Sequence, residues 1–172
     1  VVSVCDSVNY ITDPEELKEV FRLVNNYLDP GGIFLFDFNT EYKYREVLAD
    51  NTFAEDRGEC SFIWDNYYYE DEKINEYDLT LFICETAKKG MASESTESDA
   101  ESDADPEEDC GGGQLCRKYR ETHYQRGYTL DEMKELLREA GLVFLEAHDM
   151  DIKEEACGTS ERICVIARES GK

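Results

Sequence analysis

The residues with chemistry to offer sit in three stretches. His123 is one of two histidines in the chain, and it shares the string Glu121-Thr122-His123-Tyr124-Gln125-Arg126 with a carboxylate, an amide and a guanidinium. An imidazole in such a polar cluster is suited to act as a general base or to orient a substrate; on an exposed strand it can equally be inert. His148 falls near the end of a strand pattern and reads as structural. The second stretch, Cys5-Asp6-Ser7-Val8-Asn9-Tyr10, follows an apolar run directly; Asp6 and Ser7 are at least turn formers. In the third, Asp37 interrupts the apolar run Ile33–Phe38. A carboxylate there either hydrogen-bonds neighbouring backbone or faces a site. Asn39 and Thr40, just after it, suit a helix cap. The aromatic group Phe62, Trp64, Tyr67, Tyr68 and Tyr69 is either local core or the wall of a pocket for a small apolar or cationic molecule. Strand alternation puts Trp64 and Tyr68 on one face and Tyr67 and Tyr69 on the other.

Metal chemistry has little support: Cys110 and Cys116 lack CxxC spacing and a nearby histidine, so a zinc site would be short of ligands. The seven cysteines are odd in number and irregularly spaced, which reads as reduced thiols in a cytoplasmic protein. With 18 basic against 41 acidic side chains and a net charge of −23, nucleic acid and anionic membrane are poor partners. Nine of the acids crowd into residues 91–109 without a single base. That segment, followed by Gly111-Gly112-Gly113, predicts a disordered acidic loop over 88–114. Ser98 and Ser102, each with an acid three residues on, could suit an acidophilic kinase, against the plainer reading of a solvated charge run.

The elements that must position these groups alternate. Val1–Cys5 predicts a buried strand, Asp13 with Pro14 starts a helix whose apolar face is Leu17, Val20, Phe21, Val24 and Leu28, and Ile33–Phe38 predicts a second strand. Strand, helix and strand in this span form a βαβ unit with a parallel pair. A short helix over 41–49 precedes three extended segments, 61–70, 73–85 and 116–128, that read as an antiparallel insert. Thr129 with Glu132 then forms a capping box ahead of a helix, and 142–149 and 162–168 predict a closing antiparallel pair.

The strings VVSVCDSVNYI, LDPGGIFLFDFNTEYK, YRETHYQRGYT and ERICVIAR, in this order, resemble class I S-adenosylmethionine-dependent methyltransferases, closest to small bacterial members with an antiparallel insert after the fifth strand. The resemblance covers nearly the whole chain apart from the acidic loop. It implies an α/β fold, the carboxyl-terminal part of a Rossmann-like sheet in strand order 4-5-7-6. Residues 1–40 and 129–172 would be core, and 41–128 the insert carrying loop 88–114. Strands 1 to 3, the glycine-rich turn and the ribose-binding acid have no counterpart in the sequence. The expectation is therefore a fragment of a longer enzyme, with a complementing second chain as the alternative and an exposed, association-prone edge at Val1–Cys5.

By the same resemblance the chain transfers a methyl group from S-adenosyl-L-methionine to a small molecule, without a metal. Cys5, Asp6 and Ser7 would line the cofactor. Asn9, Tyr10, Asp37, Trp64 and Arg126 would face the substrate, with His123 and Tyr10 as catalytic candidates. The rivals are a non-catalytic remnant or partner subunit that binds no cofactor alone, and an acidic interaction module acting through 91–109.

Overall fold

The computed structural model describes residues 1–84 and 115–171. The expected acidic loop, with Cys110, Ser98, Ser102 and the glycine triplet, lies outside them. Two sheets result, one for each kind of sequence pattern.

The first sheet contains β1 (Val2–Ser3), β2 (Ile33–Asn39), β7 (Leu142–Asp149) and β8 (Arg162–Glu169) in the order β1-β2-β8-β7. β1 and β2 are parallel; β2–β8 and β8–β7 are antiparallel. This is the 4-5-7-6 order of the resemblance. Helices α1 (Pro14–Tyr27) and α2 (Leu130–Glu139) supply the rest of its core. Leu17 and Phe21 of α1 and Met133 and Leu137 of α2 are fully buried with Phe34, Phe36 and Phe38 of β2 and Ile163, Val165 and Ala167 of β8. The phenylalanines alternate along β2, so one face of the strand points at the helices. The Phe21 ring lies 5.1 Å from Phe36, and Phe34 and Phe36 are 4.8 Å apart.

Local chemistry starts both helices. The Asp13 carboxylate accepts the Glu15 amide at 2.8 Å, and Thr129 and Glu132 make the full capping box, each satisfying backbone donors that have no partner inside the helix. Val20 departs from the expected apolar face. It is exposed on α1 beside Leu23 and Tyr27, the last 84% exposed.

The second sheet is the insert: β3 (Thr52–Asp56), β4 (Cys60–Tyr69), β5 (Ile74–Cys84) and β6 (Cys116–Arg126), antiparallel throughout in sequence order. β3 has no counterpart in the sequence reading because Thr52–Asp56 carries two acids and its residues are exposed. It is held by its pairing to β4. A π-helical turn, Lys43–Leu48, joins the two parts of the fold.

Two further expectations change. The first strand shortens to Val2–Ser3 because Cys5 and Asp6 take left-handed backbone, with φ of +64° and +48°, and leave the strand path. The cysteines are not all reduced: Cys84 and Cys116 form a disulfide, while Cys5, Cys60, Cys157 and Cys164 are free. The register sets these two directly opposite each other where β5 and β6 meet. Cysteine usage therefore no longer argues for a reducing compartment. No helix among the described residues is long and apolar enough to cross a membrane.

Candidate active site

The site lies where the carboxyl ends of β1 and β2 meet the insert. It is built around Asp37, which is 2% exposed. Its Oδ1 accepts the Asp6 amide at 2.8 Å, and its Oδ2 accepts the Cys5 amide at 3.3 Å and Arg162 Nη2 at 2.7 Å. A left-handed turn at two consecutive non-glycine residues costs free energy. Here the carboxylate of the neighbouring strand holds both amides of the turn. Three donors thus engage the carboxylate, and they tie Asp37 to the turn after β1 and to β8.

The Asp6 side chain carries the linkage into the second sheet. Gln125 Nε2 donates to Asp6 Oδ2 at 2.7 Å, Tyr44 donates to Gln125 Oε1 at 3.0 Å, and Asn39 Nδ2 donates to the Tyr44 hydroxyl at 3.2 Å. Burial pushes the Tyr44 phenol well above its usual range, against the opposing effect of the Asn39 hydrogen bond, so the hydroxyl remains a donor. Asn9, fully buried, closes the circuit. Its Oδ1 accepts the Asn39 amide, and its Nδ2 donates to the carbonyls of Asn39 and Arg126. Asn9 therefore ties the end of β2 to β6.

Above this buried layer stands a more open cluster. The Tyr10 hydroxyl is 2.9 Å from the Tyr77 hydroxyl and 3.1 Å from His123 Nδ1. The Tyr77 and His123 rings stack at 4.6 Å, because β5 and β6 set them directly opposite each other. His123 Nε2 lies 3.2 Å from Glu121 Oε2. With Glu121 accepting from Nε2, Nδ1 is left as the acceptor for the Tyr10 hydroxyl. Burial, with the Tyr10 hydrogen bond, raises the Tyr77 phenol far above its usual range, and Tyr77 remains a hydrogen-bond donor.

No family model matches the chain. It is 28% identical over 170 residues to "Putative methyltransferase YqeM" of Bacillus subtilis (strain 168), a match covering 99% of this chain and 58% of that protein. The crystal structure of an S-adenosylmethionine-dependent methyltransferase from Clostridium acetobutylicum ATCC 824 superposes with a TM-score of 0.76 at 25% identity, covering 99% of this chain and 57% of that one. CalS10 from Micromonospora echinaspora, an amino pentose methyltransferase with S-adenosylmethionine bound, superposes at 0.59 with 9% identity over 98% and 58% of the two chains. The fold is that of a class I S-adenosylmethionine-dependent methyltransferase. The chain spans a little over half the length of the relatives it matches.

On this methyltransferase sheet the residues expected to carry function divide. Asp6 and Tyr10 meet β6 at Gln125 and His123, while Cys5 and Ser7 are exposed on the same turn. The Ser7 hydroxyl shares a hydrogen bond with Ser3 at 2.7 Å. Arg126 is turned away: alternation puts it on the face opposite His123 and Gln125, where Nη1 donates to the Glu72 carbonyl and the guanidinium lies 5.5 Å from the Tyr128 ring centre. Trp64 is on the His123 side of the insert sheet, beside Tyr68, which is buried with Tyr44 and Leu48; Tyr67 and Tyr69 are exposed on the other face. Thr40 accepts the Lys43 amide at 3.2 Å as a cap, whereas Asn39 is drawn into the buried circuit. His148 lies on β7, 3.4 Å from Glu146.

Tyr77, Tyr44 and Arg162 were not legible as site residues. Tyr77 and Tyr44 are ordinary aromatics in their own segments, and Arg162 is one of many surface-type cations until β8 sets it beside Asp37. Among the described residues no group of three His, Cys, Asp or Glu side chains is placed to hold a metal.

Proposed function

We propose that this chain is the acceptor-side part of an enzyme that transfers a methyl group from S-adenosylmethionine to a small molecule. The observation that carries the reading is the contact between the turn after β1 and strand β6: Tyr10 on His123, and Asp6 on Gln125. In doubly wound sheets, ligands bind outside the carboxyl ends of the parallel strands, and this turn leaves β1 at that end.

The cofactor supplies a methyl group on a sulfonium centre. The residues here fit its methionine side, where the exposed Cys5 and Ser7 form a wall whose shape Asp37 and Arg162 hold. A glycine turn and a ribose-binding acid have no counterpart in the sequence, so we assign the rest of the cofactor site to a further segment or chain pairing with the free edge of β1. The exposure of residues 1–4 supports the assignment: Val1, Val2 and Val4 are 53%, 67% and 49% exposed.

On the acceptor side, Tyr10 and His123 orient the nucleophile. His123 Nδ1 takes up the proton that the acceptor releases on methylation, relayed through the Tyr10 hydroxyl. Most of the rate comes from alignment of donor and acceptor.

Calorimetric titration with S-adenosylhomocysteine tests the assignment: the chain alone should bind no tighter than millimolar. Micromolar binding by the chain alone would show that the cofactor site has been misplaced. Extending the reading frame upstream of Val1 tests the function. The extended protein should transfer tritium from methyl-labelled S-adenosylmethionine to small acceptors, and His123→Ala should slow turnover by about 100-fold. An extended protein that binds no cofactor would leave the non-catalytic partner subunit as the reading.

A further inference from the structure

The insert sheet carries a second feature on the same face as His123. Phe62, Trp64, Tyr77, Leu79 and Leu81 line an open trough of about 350 Å³. The register explains its continuity: Trp64 faces Leu79, Phe62 faces Leu81, and Tyr77 faces His123 on the next strand. Tyr77 therefore belongs to both features, stacking on His123 at one end and meeting the Trp64 ring edge-on at 5.8 Å at the other. Beside the trough, directly opposite Leu79 on β6, stands Glu121, whose carboxylate lies 3.2 Å from His123 Nε2. Aromatic faces with one carboxylate are the surroundings that recognise an ammonium group.

We infer that the methyl acceptor is an amine with an apolar body: the body lies in the trough, and the nitrogen stands at the Tyr10–Tyr77–His123–Glu121 end, where, bound as an ammonium, it first passes one proton through the Tyr10 hydroxyl to His123 Nδ1 and so presents a lone pair. This rests on the methyltransferase reading above and adds the acceptor class to it. A polar, sugar-like body would leave its hydroxyls unpaired against Phe62, Leu79 and Leu81, at a cost in free energy, whereas an apolar body gains from burial. The volume lies within the range of small-ligand pockets, and Tyr77, which lines the trough, stacks on His123 of the proposed catalytic cluster.

Trp64 is the sole tryptophan of the chain, so its fluorescence reports on the trough directly. The full 172-residue chain is titrated, at fixed protein concentration and 0.15 M salt, with n-hexyl-, n-octyl- and n-decylamine and with the matching alcohols. The expected result is a saturable change in Trp64 emission, with Kd falling about three- to fourfold per added methylene and each amine binding more tightly than its alcohol. Glu121→Gln should remove the preference for the amine and keep the dependence on length. Leu79→Glu should abolish the length dependence; if it loses the circular dichroism of the strands, Leu81→Ala replaces it and should weaken every probe.

A response independent of chain length, or one unchanged in the Leu79 and Leu81 variants, overturns the inference. So does Trp64 emission that shifts with protein concentration in the absence of probe, which would mean that a second copy covers the trough. The two readings fail separately. Probe binding without methyl transfer by the extended protein sinks the enzymatic reading and leaves the trough, and methyl transfer without length dependence does the reverse.

Discussion

Replacing Asp37 by alanine should destabilise the chain far more than the loss of a surface carboxylate would. The side chain is 2% exposed and receives three donors. The Asp6 amide at 2.8 Å is the strongest of them, and a hydrogen bond to a charged group contributes about 2 kcal/mol. The Cys5 amide at 3.3 Å is long and contributes roughly half of that. Arg162 has a side chain 29% exposed to solvent, so its ion pair with Asp37 is discounted to about 1 kcal/mol. The total is about 4 kcal/mol, a large share of the ~5–15 kcal/mol that holds a domain together. It corresponds to a fall in Tm of roughly 10 °C. Urea denaturation followed by far-UV circular dichroism, at fixed protein concentration, measures the change, and the m-value should stay the same. Hydrogen exchange at Cys5 and Asp6 should accelerate by more than the global average. Asp37→Asn, which keeps a carbonyl for the Asp6 amide, should recover about half of the loss. An Asp37→Ala protein within about 1 kcal/mol of the parent, with Cys5 and Asp6 still protected, would show that the left-handed turn holds itself and that the carboxylate does not set the cofactor-side loop.

Other perturbations read other parts of the structure. A Cβ on Gly127 would stand 2.9 Å from the Glu41 Cα and 3.1 Å from Tyr44, so Gly127→Ala should cost about 1–3 kcal/mol in urea denaturation because backbone must move. Replacing Cys84 and Cys116 by serine opens a bridge between residues 32 apart; chain-entropy arguments put the loss at about 3–4 kcal/mol, measurable as a gap in stability that a thiol reductant removes from the parent. Burial raises the Glu132 carboxyl, but the Thr129 amide and Lys73 outweigh it, and the folded-state pKa lies below its ordinary value. The stability this group contributes is therefore fully present above its unfolded pKa and fades as pH falls through the folded one. The stability gap between parent and Glu132→Gln should accordingly be constant near neutrality and close below about pH 4, and a gap persisting at pH 2 would refute the assignment. The exposed valines in and beside β1 predict self-association of the isolated chain, and Val2→Lys should lower its sedimentation coefficient at high concentration.

Much of the fold was legible because its signals are local. The Thr129–Glu132 capping box, the alternating phenylalanines of β2, and the Pro-Gly-Gly stop after α1 each depend on residues within one turn or one strand. The order of the first sheet could be read once those elements were matched to a known arrangement. β3 was not legible: Thr52–Asp56 lacks an apolar face, and cross-strand pairing to β4 makes it a strand. The disulfide was hidden for a similar reason. Cys84 and Cys116 are distant in sequence, and the β5–β6 register alone sets them opposite each other.

The candidate site divides along the same line. The types and order of Asp6, Ser7, Tyr10, Asp37 and His123 marked the neighbourhood, since carboxylates, hydroxyls and an imidazole after apolar runs are visible in any sequence. Their hydrogen-bond partners come from tertiary contacts. Asp37 is held by Arg162, from the last strand, and by the amides of two left-handed residues. Asn9 proved to be a tie and Arg126 a residue of the opposite face. Tyr77, unremarkable by itself, joins the trough to His123 because antiparallel pairing aligns it with both. Residue type determines what a side chain can do, and that is a property of the sequence. Which partners satisfy it depends on strands brought together across more than a hundred residues, and only the fold decides that.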